Sequence, residues 1–569
     1  MHDIVIRNGN IIDGSGSVAF VGDIAIDGKT ISAVANHALG ETIGAGKQEI
    51  DATGRLVAPG FVDIHTHYDG QATWDSQLTP SIYHGVTTVV MGNCGVGFAP
   101  VKPQQRDWLI SLMEGVEDIP GTALSEGIDW QWESFPEFLD TLDSKSHMID
   151  IVAQLPHGAL RTYVMGERGG NHLEKPTAEE INAMATLAEE AVNAGAIGFT
   201  TSRTVNHQTA DGEPTPSLTA GEEELSGIAQ GLKRANKGVI QLVCDFEDHD
   251  AEFDLIRGMA EQSGRPLSVT VNQNPAKPDE WRHTLDMISQ ANNDGLTLKA
   301  QVAPRPVGVL ISLQSTYHPF IFCPSFQAIA TKTLDEQVAQ LSDSTFQKNL
   351  FKEYVESPLF DLRQTWIMDE NPNYEPEPEQ SIAAIADTKG VEATAVALEA
   401  MLANGGTGIL YFPALNFADG HSDICREMLV HPHTVPGLGD GGAHVSFISD
   451  ASFCTYLLTH WARDRKRGNL IELEYLIKAQ TRDTAEVVGL FDRGLIKSSY
   501  KADINIIDFE QLAIERPVMV NDLPAGGNRL LQKTQGYDYM IVSGEVVMQA
   551  GSPTGALPGQ LVRGSQGEK

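Results

Sequence analysis

The chain has 569 residues, of which 41% are hydrophobic and 20% are charged, an ordinary composition for a folded protein with more than one domain. Its formal net charge of −36 repels nucleic acid and anionic membranes, so we expect neither as a partner. Its five cysteines form no CxxC pair, its first residues have no signal-peptide pattern and it has no long apolar run, which together indicate a cytoplasmic protein in a reducing compartment.

Short strands are predicted at both ends of the chain. Near the N-terminus, "DIVIRNGNIIDG" and "GDIAIDGKTISAVA" alternate apolar and polar residues between Asn-Gly and Asp-Gly turn signals. The C-terminal segments "ADINIIDF" and "YDYMIVSGEVVMQAG" have the same pattern. We therefore predict one small β-sandwich domain built from residues 1–55 and 486–569.

Predicted strands and helices alternate through the middle of the chain, residues 56–485. Strands such as "VTTVVMGN", "AIGFTTS" and "VIQLVCDF" are separated by helices such as "TAEEINAMATLAEEAVNAG", where Thr177 and Glu180 have the spacing of a capping box. Alternation over about 400 residues predicts an α/β fold, a (β/α)8 barrel of the TIM type. The alternation of strands and helices stops around residues 304–390, a segment that includes the Pro- and Glu-rich "NPNYEPEPEQ". We therefore predict an insertion there, over one end of the barrel.

The segment "GFVDIHTHYDG", residues 60–70, ends an apolar strand with two histidines. Residues two apart on a strand point to the same face, so we expect His65 and His67 to point into the barrel at its C-terminal end, where barrel active sites lie. Two neighbouring buried imidazoles can share one divalent cation. The alternative is a pair of hydrogen-bonded core histidines. The pattern predicts a metal site.

Three segments, "LVAPGFVDIHTHYD", "GVTTVVMGNCGVGFAP" and "VPGLGDGGAHV", resemble the amidohydrolase superfamily and, within it, the N-acyl-D-amino-acid deacylases, or D-aminoacylases. The resemblance covers nearly the whole chain. It implies a (β/α)8 barrel, zinc, and hydrolysis of an amide-like bond in a small molecule. It also implies His65, His67, Cys94 and Asp440 as metal ligands, with Asp440 as the catalytic residue that takes the proton of the attacking water.

The resemblance breaks at two positions. D-aminoacylases supply two further histidines from strands five and six, and ungapped matching places Val243 and Val271 there. We therefore expect one zinc ion rather than two. The loop histidines His207, His249 and His444 are candidates for a further ligand, with surface or supporting roles as the alternative.

Two arginines are predicted to bind substrate. Acyl-amino-acid substrates carry a carboxylate, which a planar guanidinium can bind at two points. Arg203 in "TTSRT" and Arg305 in "QVAPRPVG" directly follow predicted strands. An ion pair within the barrel rim is the alternative for each.

These features predict a metal-dependent hydrolase of carbon–nitrogen bonds other than peptide bonds, with N-acyl-D-amino acids as the leading substrates and Asp440 acting as general base and then general acid. One alternative keeps the fold and changes the substrate to a cyclic amide, imide, lactone or dipeptide-like molecule. Another is a barrel that binds a ligand without turnover. The acidic surface and the sheet edges permit a homo-oligomer.

Overall fold

The middle of the chain forms a barrel of eight parallel strands in the computed structural model, which describes residues 1–356 and 358–567. In chain order, and numbered one to eight below, the barrel strands are Phe61–Asp63, Val86–Met91, Asp150–Pro156, Gly198–Arg203, Val239–Cys244, Leu267–Thr270, Leu298–Val302 and Thr434–Pro436. The N–H of Asp440 donates to the carbonyl of His65 at 2.9 Å, and the N–H of His67 donates to the carbonyl of Gly441 at 2.8 Å. These bonds join the two edge strands and close the barrel, so the predicted (β/α)8 fold is confirmed.

Helices lie between the barrel strands in the chain and follow the last of them. They are Arg106–Glu117, Gly121–Gly127, Phe135–Asp143, His157–Met165, Ala178–Ala194, Glu222–Ala235, His249–Ser263, Glu280–Asn293, Asp423–Leu429, Phe453–Thr459, Leu473–Lys478 and Thr484–Val487. The predicted capping box is present, since Thr177 and Glu180 each accept a hydrogen bond from the other's backbone N–H. None of the helices in the described part of the chain is long and apolar enough to cross a membrane.

The segment between barrel strands seven and eight has a hydrophobic core of its own, which includes Phe320, Phe326 and Leu350. Its elements are the strands Gly308–Ile311, Trp366–Ile367 and Leu410–Pro413 and the helices Pro324–Gln327, Leu334–Leu341, Ser344–Glu356, Ile382–Lys389 and Ala393–Gly406. The strand Leu410–Pro413 pairs antiparallel with both other strands. This unit therefore extends past the predicted insertion at 304–390, because its central strand comes later in the chain.

Both chain ends contribute to one β-domain. Within the described residues, a nine-stranded sheet contains His2–Ile11, Phe20–Asp27, Thr30–Asn36, Gly46–Asp51, Leu56–Pro59, Ile504–Ile507, Tyr537–Val542, Glu545–Gln549 and Ser552–Pro553, and two short antiparallel pairs are Ala513–Ile514 with Thr534–Gln535 and Val518–Val520 with Arg529–Leu531. The first strand pairs with Gly46–Asp51 over its first half and with Leu56–Pro59 at its end, so the sheet branches. Both branches share one apolar core, in which Ile6 and Ile506 lie.

A buried carboxylate joins the insertion to the helical segments on either side of barrel strand eight. Glu375 is 3% exposed, accepts hydrogen bonds from Arg465 at 2.9 and 3.1 Å and from the N–H of Ser422 at 2.7 Å, and lies 3.1 Å from Nε2 of His460. Burial acts to raise the pKa of Glu375, but the adjacent imidazole of His460 and the hydrogen bonds from Arg465 and Ser422 outweigh burial and hold the pKa well below its usual value.

We expect Glu375→Ala to lower the free energy of unfolding by about 3–5 kcal/mol, because it leaves the buried guanidinium of Arg465 without its main partner. Since the pKa of Glu375 is lowered in the fold, this stabilisation is present above the ordinary carboxylate pKa of about 4.3 and is lost as the pH falls toward the folded value. Urea unfolding at about pH 7 and about pH 3.5 should therefore show a smaller difference between the two proteins at the lower pH.

The control for this prediction is Glu377→Ala. The side chain of Glu377 is 50% exposed and pairs with Arg467 at 3.1 Å, so its removal should change the free energy of unfolding by less than about 1 kcal/mol. Equal losses in the Glu375 and Glu377 variants would contradict the stabilising role assigned to the buried network.

Candidate active site

A cavity of about 240 Å³ opens at the C-terminal ends of the barrel strands, the end at which barrel enzymes carry out their chemistry. Its lining contains the candidate ligands His65, His67, Cys94 and Asp440 together with His444. Apolar residues also line it, namely Val243, Phe246, Val271, Trp281, Val307, Leu415 and Leu438, as do polar ones such as Asp245, Asn272 and Glu280. The cavity therefore combines a cluster of metal-ligating groups with a mixed apolar and polar lining.

The imidazole of His65 is held in one tautomer by the neighbouring strands. Its Nδ1 lies 2.8 Å from Oε1 of Gln301 on barrel strand seven, and Nε2 of Gln301 in turn donates to Oγ of Ser268 on barrel strand six at 2.9 Å. Because an amide oxygen can only accept, Nδ1 of His65 carries the proton and Nε2 keeps a free lone pair. This is the arrangement expected of a metal-ligating histidine.

Three of the four predicted ligands, His65, His67 and Cys94, bring their ligand atoms within 4.8 Å of one another, and Asp440 lies beside the two histidines. Nε2 of His65 lies 3.3 Å from Sγ of Cys94 and 3.5 Å from Oδ1 of Asp440. Nε2 of His67 lies 3.9 Å from the same sulfur and 3.7 Å from the same oxygen. Oδ1 of Asp440 is buried and has no hydrogen-bond donor among the described residues. Imidazole nitrogen, thiolate sulfur and carboxylate oxygen are the ligands of Zn²⁺, so this set fits a divalent cation.

Cys94 and Asp440 both occupy left-handed backbone, with φ of 56° and 47°. This conformation is uncommon for residues other than glycine, and such residues cluster at functional sites. Backbone hydrogen bonds hold both residues in place, since the N–H of Cys94 donates to Oε1 of Gln241 at 3.2 Å and the N–H of Asp440 donates to His65. The turns that follow barrel strands two and eight thereby point the thiol and the carboxylate toward the two histidines.

Burial and neighbouring groups both shift the pKa values of the side chains in the cluster. Burial raises the pKa of the Cys94 thiol well above its usual value, and the carboxylates of Glu117 and Asp440 raise it further. For Asp440, burial also acts to raise the pKa, but the nearby imidazoles of His67 and His65 outweigh burial and bring the pKa below its usual range. A bound cation favours the thiolate and the carboxylate alike.

The two positions that interrupted the family pattern lie in this cavity. Val243, near the end of barrel strand five, and Val271, just after barrel strand six, both line it together with Cys94. Val271 is 3% exposed. The apolar side chains at these positions offer no ligand to a second ion.

The three loop histidines named from the sequence all line the cavity, each with a different environment. His207 has its Nδ1 2.9 Å from Oγ of Ser202, and burial lowers its pKa to about 3. His249 has its Nε2 3.0 Å from Oγ1 of Thr284. His444 has its Nε2 3.6 Å from Oε2 of the buried Glu117. Among the described residues, the ligand atoms that lie close enough to share one metal ion belong to His65, His67 and Cys94, and none of the three loop histidines joins this group.

The two arginines predicted to bind substrate do not line the cavity. Arg203 donates to both carboxylate oxygens of Glu252, at 2.7 and 2.8 Å. Arg305 is 1% exposed, donates to Asp450 at 2.9 Å and stacks 3.6 Å from the ring of Tyr374. Both arginines thus form the ion pairs that were the alternative interpretation, and their role in substrate binding stays a prediction that these contacts do not support.

The sequence analysis missed Glu117, the last residue of the helix Arg106–Glu117. Its carboxylate is 1% exposed, with Oε1 3.1 Å from Nδ1 of His67 and Oε2 3.6 Å from Nε2 of His444. One signal in the sequence was available. Glu117 follows Leu109 and Met113 at helical spacing, so the amphipathic pattern places a glutamate on the buried face of the helix.

Comparison with known proteins agrees with this geometry. The N-acyl-D-aspartate deacylase of Alcaligenes xylosoxydans xylosoxydans is 27% identical over 575 residues, which are 98% of this chain and 95% of that protein. The D-aminoacylase of the same organism is 36% identical over 200 residues, 35% of this chain and 37% of that protein. An N-acyl-D-glutamate deacylase from Bordetella bronchiseptica has the same fold, with a TM-score of 0.64 over 99% of both chains at 23% identity.

The amidohydrolase family matches residues 48–350 and 376–548, which make up most of the chain. The matched ranges include His65, His67, Cys94 and Asp440. With the closed barrel and its converging ligands, this match means that the chain belongs to the amidohydrolase family.

Proposed function

We propose that this protein is a zinc-dependent deacylase that hydrolyses the amide bond of N-acyl-D-amino acids. Its family makes it a hydrolase of carbon–nitrogen bonds other than peptide bonds. The observation that carries the proposal is the convergence of His65, His67, Cys94 and Asp440 in the cavity wall. The substrate class is supported by the N-acyl-D-aspartate deacylase that aligns with nearly the whole chain, and the metal by the zinc in the Bordetella bronchiseptica structure.

We propose that one zinc ion is bound. His65, His67 and Cys94 would supply three donor atoms to one position, Asp440 beside the two histidines would be a fourth donor, and a catalytic site needs one further open position for water or substrate. One of the four therefore binds more weakly, or the coordination number rises to five. Val243 and Val271 supply no donor for a second ion.

When bound, a divalent cation supplies Lewis-acid chemistry, since it lowers the pKa of water and polarises a carbonyl oxygen. His65 and His67 would hold the cation through Nε2, because their Nδ1 atoms face Gln301 and Glu117. Asp440 takes the proton of the attacking water at Oδ1 and delivers it to the leaving nitrogen. The carboxylate can do so because Oδ1 lies 3.5 and 3.7 Å from the two imidazoles and accepts no hydrogen bond among the described residues.

The cavity suits a small linear amide. Its volume of about 240 Å³ lies below the range of roughly 300–1,000 Å³ that is common for drug-sized ligands. Val243, Val271 and Trp281 form an apolar wall that excludes water from the acyl chain or the amino-acid side chain. Lys277, whose Nζ lies 3.3 Å from Glu280, is the only lysine or arginine among the described residues that line the cavity. A cytoplasmic location and the absence of nucleic-acid partners remain predictions from the sequence.

Elemental analysis combined with a hydrolysis screen tests the proposed function. We expect about one zinc per chain, hydrolysis of N-acetyl-D-amino acids in preference to their L isomers, and loss of activity on chelation that zinc restores. Turnover of cyclic amides or lactones alone would favour the alternative substrate class. A protein that binds no metal and hydrolyses none of these compounds would be a ligand-binding barrel.

A further inference from the structure

We propose that Glu117 is a positioning residue for the metal site, whose carboxylate fixes the orientation of His67 and ties it to His444. The inference rests on the proposed metal-dependent function and adds a residue that acts through a ligand rather than as one. Nothing in the family resemblance assigns a role to this position.

The carboxylate of Glu117 lies between two imidazoles. Its Oε1 is 3.1 Å from Nδ1 of His67, and Nε2 of the same ring points toward Cys94 and Asp440. Its Oε2 is 3.6 Å from Nε2 of His444, which lines the cavity. One carboxylate therefore contacts the rear of a ligand ring and a second ring in the cavity wall.

The two ligand histidines receive different support. Nδ1 of His65 donates to the neutral amide oxygen of Gln301, whereas Nδ1 of His67 faces a carboxylate. A carboxylate behind a ligating imidazole fixes its tautomer and makes the opposite nitrogen a stronger donor. We therefore expect Glu117 to make Nε2 of His67 the stronger donor to a bound cation.

The surroundings of the Glu117 carboxylate lack the partners that a stabilising buried carboxylate needs. No lysine or arginine of the described chain lies within ion-pair distance of Glu117, and neither carboxylate oxygen has a well-aligned hydrogen bond among the described residues. Burying a carboxylate in this state costs several kcal/mol, so burial of this side chain does not by itself stabilise the fold.

The end of the helix is held by other groups. The backbone carbonyl of Glu117, not its side chain, accepts a hydrogen bond from the N–H of His444. The next residue, Asp118, accepts hydrogen bonds from the backbone N–H of Ser446 at 3.1 Å and from the hydroxyl of Thr316 at 2.6 Å. These contacts fix the helix against the loop after barrel strand eight and leave the Glu117 side chain to act on the imidazoles.

The test is the zinc affinity of Glu117→Gln, measured by competition with a chromophoric chelator. The amide is close in size and keeps an acceptor but removes the charge. We expect zinc binding to weaken by roughly 10–100-fold, the usual effect of changing a group behind a metal ligand. The absorption spectrum of the cobalt-substituted protein should also change, because the donor strength and orientation of His67 set the ligand field.

Unfolding of the chelated proteins separates positioning from structure. Because the substitution replaces a buried carboxyl group that has no cationic partner among the described residues, metal-free Glu117→Gln should be as stable as the wild type or more stable. Glu114→Gln is the matched control, since that carboxylate lies on the same helix, accepts from the N–H of Gly121 at 2.8 Å and does not touch the site. It should bind zinc as the wild type does.

Two results would overturn the inference. The first is a Glu117→Gln variant that binds zinc within about twofold of the wild type, where roughly 10-fold or more is expected. The second is a metal-free variant destabilised to the same extent as its zinc affinity falls, which would make the residue structural. A wild-type protein that binds no zinc at all would instead overturn the proposed function, so the two failures are distinguishable.

Discussion

Asp440→Asn is expected to lower kcat by about 10²–10⁴-fold, the usual contribution of a positioned general base. An amide cannot take the proton of the attacking water, and Oδ1 of Asp440 is the carboxylate oxygen that faces the two imidazoles, at 3.5 and 3.7 Å. The fold should persist, because the backbone N–H of residue 440 still donates to the carbonyl of His65 and keeps the barrel closed.

Steady-state kinetics, zinc content and thermal unfolding on the same preparation check this expectation. Loss of turnover with retained zinc and an unchanged unfolding midpoint places the defect in proton transfer. Asp464→Asn is the control, since that carboxylate is 51% exposed and pairs, among the described residues, only with the neighbouring Arg463, and its kcat should equal that of the wild type. An unchanged kcat in Asp440→Asn would remove this carboxylate from the mechanism.

The strand-one ligands follow from local physical chemistry. An apolar run that ends in His-Thr-His predicts a strand followed by two histidines on one face, because side chains two apart on a strand share a face. The structure places His65 and His67 just past the strand Phe61–Asp63, with their rings 5.5 Å apart. The barrel is also predictable from the sequence. Buried parallel strands read as continuous apolar runs, whereas amphipathic helices repeat their apolar residues at helical spacing.

Cys94 and Asp440 could be placed only through the family resemblance. Each lies in a turn with left-handed backbone, φ 56° and 47°, where no periodic pattern points a side chain toward the barrel axis. A cysteine in such a turn is equally compatible with a small buried apolar residue, and an aspartate between glycines with an ordinary turn. Their functional assignment therefore depends on positions that only the closed barrel brings together.

Contacts that span long stretches of sequence could not be predicted at all. Gln301 supports His65 from 236 residues away, and Glu117 approaches His67 only because the helix after barrel strand two packs against the loop after strand eight. For the arginines, the position along the strand was predictable but the contact was not. Arg203 ends barrel strand four, as the sequence indicated, but the direction of a long side chain is set by its partner, here Glu252 on the helix His249–Ser263.

The largest change in metal binding is expected from the double substitution Val243→His and Val271→His. Both valines line the cavity with Cys94. Two new imidazoles together with the thiolate would therefore provide three protein ligands. Three protein ligands with an open position are typical of a catalytic zinc site. We expect zinc to rise from about one to about two equivalents per chain. Each single substitution supplies one imidazole too few and should leave the stoichiometry unchanged.

Equilibrium dialysis against zinc followed by elemental analysis measures the stoichiometry, with thermal unfolding as a check that the variants fold. The matched control is Val243→His combined with Val307→His, which also adds two imidazoles to the cavity lining but keeps the valine at position 271. This control should still bind one ion. A folded Val243→His, Val271→His protein that also binds only one ion would mean that these valines do not limit the count, and the single-ion proposal would then lose its physical reason.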